Sequence, residues 1–224
     1  EIQVFVVFKS ILTSEPQIEK INLVLKQLDI NELKIISKNF KPSNLNSFLN
    51  NNIIEGSLNC EINIFLDKKN IVQNFIVKGS AINFKTKLVD NLFLNNLKFD
   101  FFADKNDILF KNIFGENDFI KVSEGDLKII LSSKFQLNGN FQSQFNYDSQ
   151  KKNEISILEN IKYFKNIIAL EANLNNSFLI DFDETYKIVN YEYKNKGKIT
   201  KSIFNLNEPV KDILSNDEIN KFSF

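Results

Sequence analysis

Between Phe135 and Tyr147 the chain alternates without a slip. Phe135, Leu137, Gly139, Phe141, Ser143, Phe145 and Tyr147 hold the odd positions, and amides hold every even one. A two-residue period sends successive side chains to opposite faces, so this run predicts a β-strand with one oily face and one wet face. Ordinary strands run about 5–6 residues. This one reads as roughly twice that, or ~40 Å at ~3.3 Å per residue.

The same alternation, broken by Asn, Asp and Gly turn chemistry, organises most of the chain. Strands are predicted over 1–9 and 17–28. Residues 29–52 leave the pattern. Asp29 is placed to cap a short helix carrying Leu33, Ile35, Ile36 and Phe40, and Lys41-Pro42-Ser43 ends it before a second short turn from Asn44 to Leu49. Strands then run over 53–66, 71–89 (with a break near Gly79), 91–103, 108–114, 119–133 and 134–147. Their turns fall at Asp67-Lys68-Lys69-Asn70, Asp104-Lys105-Asn106-Asp107 and Gly115-Glu116-Asn117-Asp118. A polar connector follows, with Ile155, Leu158 and Ile161 at helical spacing. Beyond it, strands are predicted over 164–174, 178–183, 186–194 and 198–206, with a hairpin turn at Leu174-Asn175-Asn176-Ser177. The domain reading is strands over 1–28, short helices over 29–52, a β segment over 53–148, a helical connector over 149–163 and a second β segment over 164–224. Gly56, Gly79, Gly125 and Gly139 each stand two residues before an apolar residue. Isolated strand glycines mark bends, so these four are expected to curl the strands into a gutter.

Composition narrows the chemistry. With 224 residues the chain can bury a sizeable core, and with Glu1 first it is expected to be a piece of a longer one. Formal charge is zero, 28 against 28, and every cation is a lysine. Nucleic-acid binding calls for a basic stripe, so scattered lysines are read as a solvated face. Cys60 is the sole cysteine and lies in an apolar alternation with Leu58, Ile62 and Ile64, which reads as a small core residue. His is absent, and with it the commonest general base and metal ligand. Asp181, Asp183 and Glu184 cluster, but Asp183-Glu184-Thr185 has the composition of a turn. No phosphate-binding glycine loop or nucleophile elbow occurs. The expectation is a protein that is not an enzyme and uses no cofactor or metal.

What remains is the apolar stripe. Its candidate residues are Phe93, Leu97, Phe99, Phe101, Phe135, Leu137, Phe141, Phe145, Ile168 and Leu170. Two outcomes are open. The stripe packs against a second sheet in a β-sandwich, or it faces acyl chains along an open groove. Each methylene left in water costs ~0.8 kcal/mol, so a lipid-holding groove needs no hydrogen-bonding specificity.

Several runs resemble a known family. They are Lys41-Pro42-Ser43-Asn44-Leu45, Gly56-Ser57-Leu58-Asn59-Cys60-Glu61-Ile62, Ile76-Val77-Lys78-Gly79-Ser80-Ala81-Ile82-Asn83, Leu94-Asn95-Asn96-Leu97-Lys98-Phe99-Asp100-Phe101 and Glu124-Gly125-Asp126-Leu127. Together they resemble the β-rich body of the AsmA-like family, which includes TamB and YhdP. The resemblance covers most of 40–147 and, more loosely, 160–206. It implies long curled antiparallel strands forming an open groove, a repeating β-groove. It also implies a periplasmic location, an inner-membrane anchor outside these residues, and passage of phospholipid between inner and outer membranes. No individual functional residue carries over, because the groove works as a surface. The rival readings are an outer-membrane β-barrel, which also alternates over ~10-residue segments but wants more Trp, Tyr and Gly, and a structural or adhesive β-sandwich.

Overall fold

The computed structural model describes residues 1–7, 17–39, 44–89, 92–131, 135–150, 166–185, 187–205 and 221–223. The elements in chain order are β1 (Ile2–Val6), β2 (Ile18–Asp29), α1 (Ile30–Ser37), α2 (Asn44–Asn52), β3 (Ile53–Leu66), β4 (Val72–Val89), β5 (Leu92–Ala103), β6 (Asp107–Glu116), β7 (Ile120–Ile130), β8 (Phe135–Asp148), β9 (Ile167–Phe182), β10 (Ile188–Asn205) and β11 (Lys221–Ser223). The protein is mainly β. Every strand pairs antiparallel with its chain neighbours, giving one sheet in the order β1 to β11. Among the described residues β1 pairs only with β2 and β11 only with β10, so the sheet does not close into a barrel. Among the described residues no second sheet covers it. At ~4.8 Å per strand step the sheet extends roughly 50 Å.

The strands are long because turn-prone residues inside them are held by partners on both sides. β4 passes through Gly79 unbroken, and β9 passes through the expected hairpin at 174–177. There Asn176 stands between Phe141 of β8 and Asn195 of β10, so two ladders override its local turn preference. Likewise β10 runs on through Gly197 where two strands were expected. The predicted helical connector around Ile155, Leu158 and Ile161 lies outside the described residues.

The curl comes from a row of bulges, and mostly not from the glycines. Gln27, Asn83, Asn96 and Asn112 adopt positive φ inside β2, β4, β5 and β6, and Gly56 does so in β3 at φ 139°. Pairing shifts between Leu25 and Leu28, Glu55 and Ser57, Ala81 and Phe84, and Asn95 and Lys98, with a further shift between Val122 and Glu124 in β7. A bulge inserts one residue, bends its strand and reverses which parity faces inward. Asn tolerates the left-handed region better than most residues. Because the bulges fall on neighbouring strands, the bend runs across the sheet as one crease.

Both rims are stitched locally. On one, Asp67, Asp104 and Asp183 each open a tight turn. Their Oδ1 atoms accept from the backbone N–H of Lys69 and Ile71, Asn106 and Asp107, and Thr185 and Lys187, at 2.7–3.0 Å. The opposite rim carries α1 and α2. Asp29 caps α1 as expected, accepting from the Asn31 N–H at 2.7 Å. Ile30 and Leu33 of α1 and Leu49 of α2 fold over the sheet against Ala81, Phe84, Leu58, Leu97 and Phe99. Ile35 and Ile36, expected among the apolar positions of α1, are 62% and 43% exposed instead. Helical spacing alone did not tell which side meets the sheet.

Candidate functional site

Directly paired residues in an antiparallel ladder share a face, so the register lets one face be followed across the sheet. From β2 to β4 it carries Leu23, Ile62 and Val77 in one row and Leu25, Cys60 and Gly79 in the next. Phe101 stands between Gly79 and Phe110, and Phe110 opposite Leu127. Leu137 lies between Ile129 and Ile180, Phe145 between Ile120 and Ala172, and Tyr147 opposite Leu170. Leu97 and Phe99 join through Phe84 and Ala81. At the start of β9 the register shifts, with Ser202 opposite Leu170 and Phe204 opposite Ile167, so Ile167 rather than Ile168 follows Leu170 on this face, where it packs against the buried pair Phe119 and Tyr147. One apolar face therefore runs from β1, where Ile2 and Val4 pair with Leu23 and Ile21, to β10.

Besides Ile168, which the register shift in β9 sets aside, one of the ten expected stripe residues leaves this face: Phe93. It pairs with Lys87, while its neighbour Leu94 pairs with inward-facing Thr86. The Asn96 bulge separates it from Leu97, so their shared parity no longer means a shared face. Phe93 lies on the polar side, with the Lys85 ammonium 5.8 Å from its ring. Phe114 on that side is similarly flanked by Lys98 at 5.0 Å and Lys121 at 5.8 Å. Lysine stems shield these rings from water. Rings on the apolar face meet other rings. Phe99 makes edge contacts with Phe84, Phe101 and Phe110, Phe135 does so with Phe182, and Phe141 stacks on Phe178 at 5.8 Å.

The glycines make room for those rings. Gly79 faces Phe101, Gly125 faces Phe141 and Gly139 faces Phe178. A β-carbon at each would lie 2.7, 2.5 and 2.5 Å from the facing ring. The rings therefore lie down over bare backbone, which deepens the apolar floor. The sequence reading found these glycines but assigned them to bending.

The stripe residues are all half-buried, none fully. A sealed sandwich core would enclose them. Among the described residues, α1 and α2 cover one part of the face, where Ala81 and Phe84 are 4% exposed or less, and a second buried cluster lies at Phe119 and Tyr147.

A neutral polar island interrupts the face beside Phe141 and Phe178, and no periodicity argument singled it out. The Asn176 amide donates to Ser143 Oγ at 2.9 Å, and its Oδ1 accepts from Tyr193 Oη at 2.9 Å and from the Asn195 amide at 2.6 Å. These groups satisfy one another, so the island carries no charge onto the oily surface.

The opposite face is charged and cross-linked. Lys78 pairs with Glu61, Lys111 with Asp126, Lys128 with Asp107 and Lys201 with Glu171, each between neighbouring strands. Hydrogen bonds from the Asn63 amide and then Lys78 hold the Glu61 carboxyl below its ordinary range. Cys60 lies on the apolar face, where burial raises its thiol pKa, so it stays protonated at neutral pH. Asp183 serves its turn, as its composition predicted. Among the described residues no group of three His, Cys, Asp or Glu side chains is placed to hold a metal ion, and no helix is long and apolar enough to cross a membrane.

Comparison of the chain with models of protein families, with curated proteins and with solved structures gives no match in any of the three.

Proposed function

We propose that the apolar face holds lipid acyl chains and that the protein is a lipid-carrying segment of an AsmA-like envelope protein, passing phospholipid between inner and outer membranes. The supporting observation is the half-buried stripe: an oily surface spanning the sheet, interrupted by the neutral island at Asn176, bounded by polar rims and, among the described residues, uncovered by a second sheet. Exposed apolar surface of this extent marks a binding face. Acyl chains suit it because they ask only for hydrocarbon contact, which dispersion and water exclusion supply. The polar periphery keeps such a carrier in water while its interior stays oily. The periplasmic location and the two-membrane role rest on the family resemblance of the sequence motifs.

The test is lipid extraction and native mass spectrometry of the purified chain, with Phe141→Asp/Phe145→Asp alongside. Co-purifying phospholipid, lost in the double variant while β circular dichroism persists, is the expected result. A lipid-free chain that also takes up no phospholipid from vesicles overturns the reading, and global unfolding of the double variant favours a sealed core.

A further inference from the structure

On the charged face, two polar rows cross β7 to β10 side by side. In one, Glu124 pairs with Gln142, Gln142 with Asn175, and Asn175 with Lys196. In the other, two residues along each strand, Asp126 pairs with Asn140, Asn140 with Ser177, and Ser177 with Lys194. Both rows therefore run in the same order: carboxylate, amide, neutral polar group, ammonium. Between them lies a trough of about 480 Å³, within the ~300–1,000 Å³ usual for small-molecule sites. Its floor is the backbone of Gly125, Phe141 and Asn176, with the Phe141 ring and the Asn176 amide turned to the apolar face. Three strand steps of ~4.8 Å set its acidic end ~14 Å from its basic end. Elsewhere this face is cross-linked from strand to strand, as by Lys78–Glu61, Lys128–Asp107 and Lys201–Glu171. Among the described residues the side chains of Glu124, Asn140, Gln142, Asn175 and Ser177 make no such bond and are left to solvent. Asp126 accepts from Lys111 through Oδ2 alone, and Lys194 lies 3.5 Å from Glu192 of its own strand.

We propose that this trough binds a short free oligopeptide of small, uncharged residues, lying extended across the strands. Its terminal ammonium would stand between Glu124 and Asp126, and its terminal carboxylate between Lys194 and Lys196. Four extended residues span ~13 Å at ~3.3 Å each, which matches the separation of the two ends. The middle of the trough suits peptide groups. Asn140, Gln142, Asn175 and Ser177 each offer both a donor and an acceptor, as a peptide unit does. A lone cation or anion would engage one end and leave the other idle, and a compact zwitterion is too short to reach both. A sugar would find no ring to stack on, because the Phe141 side chain lies on the other side of the sheet. The proposal does not depend on what fills the apolar face.

The probes are tetraalanine with both ends free, its N-acetylated and C-amidated forms, and dialanine. Amide chemical-shift titration of the whole chain reads affinity and location together. Free tetraalanine is expected to shift amides of β7 to β10 around Gly125, Phe141 and Asn176, and to bind less tightly as salt rises. Blocking either end should weaken binding about fivefold or more, since each end meets two charges, and dialanine should bind no better than the blocked peptides. Glu124→Gln should weaken the free peptide severalfold and leave the acetylated one unchanged; Lys196→Gln should do the same for the free and the amidated peptides. Both side chains are exposed, so circular dichroism should match the parent chain. No shift at millimolar tetraalanine, equal binding of free and blocked peptides, dialanine equal to tetraalanine, or shifts confined to other strands overturns the proposal.

Discussion

Phe141 faces Gly125 across the β7–β8 ladder and lays its ring where a side chain on residue 125 would stand, with an added β-carbon 2.5 Å from Phe141 Cδ1. Gly125→Ala therefore displaces a ring that has open space beside it, whereas the β-carbon of Gly79→Ala would meet the backbone carbonyl of Asn59. A ring rotates and a ladder does not. Overpacking costs about 1–3 kcal/mol, and Gly79→Ala should lie at or above the top of that range with Gly125→Ala below it. Urea unfolding of the two variants checks the order; equal or reversed costs contradict the ring-over-glycine account.

The Asn96 bulge yields a contrast between two phenylalanines close in sequence. Phe99→Asp places a carboxylate on the apolar face among Phe84, Phe101 and Phe110, while Phe93→Asp places one on the polar face near Lys85. Phospholipid uptake from vesicles should fall severalfold or more for Phe99→Asp and stay near the parent value for Phe93→Asp. Equal losses would mean that the faces are not functionally distinct.

Ile30 is 1% exposed and fastens α1 over Ala81 and Phe84. Ile30→Ala removes that contact and should cost about 2–4 kcal/mol. The accompanying sign is local: amide exchange should quicken in α1 and α2 before it does in β8. Uniform acceleration across the sheet would show that the helices are part of one cooperative core.

Stability should fall in acid with a traceable origin. Backbone hydrogen bonds from Asn106 and Asp107 lower the pKa of Asp104, and the Thr185 hydroxyl followed by the Lys187 N–H lowers that of Asp183. A folded-state pKa below the unfolded value of ~3.9 means that the unfolded chain binds more protons in between. The contribution is whole above that value and is lost as pH falls through the lower, folded one. Asn at either position keeps an acceptor for the turn but removes the titration. Asp104→Asn/Asp183→Asn should flatten the acid limb of a stability–pH curve while leaving the turns in place; an unchanged limb places the acid sensitivity elsewhere.

Much of the sheet was legible because alternation is written directly in runs such as Phe135–Tyr147, and because Asp67, Asp104 and Asp183 each carry a turn's own hydrogen-bond acceptor. What the alternation hid was its change of phase. Leu25 to Leu28, Ala81 to Phe84, Leu94 to Leu97 and Phe110 to Ile113 each step by three, and read together these steps mark the crease. Read strand by strand, a step of three resembles noise, so Phe93 was assigned by parity alone. Asn175 and Asn176 misled for the opposite reason: their turn preference is real, but β8 and β10 hold both residues in ladders. The polar island was invisible because Ser143, Asn176, Tyr193 and Asn195 come from three strands and meet only once register is fixed.

The strictly consecutive strand order carries a consequence for biogenesis. No strand waits for a partner made later, so each can dock on its predecessor as it leaves the ribosome or a translocation pore. Growth is templated from the N-terminal end, much as a zipper closes, and while the outer edge of β1 stays behind, the margin that receives new strand advances one strand at a time. Accessory factors that guard nascent polypeptides would have one moving front to shield rather than many scattered ones.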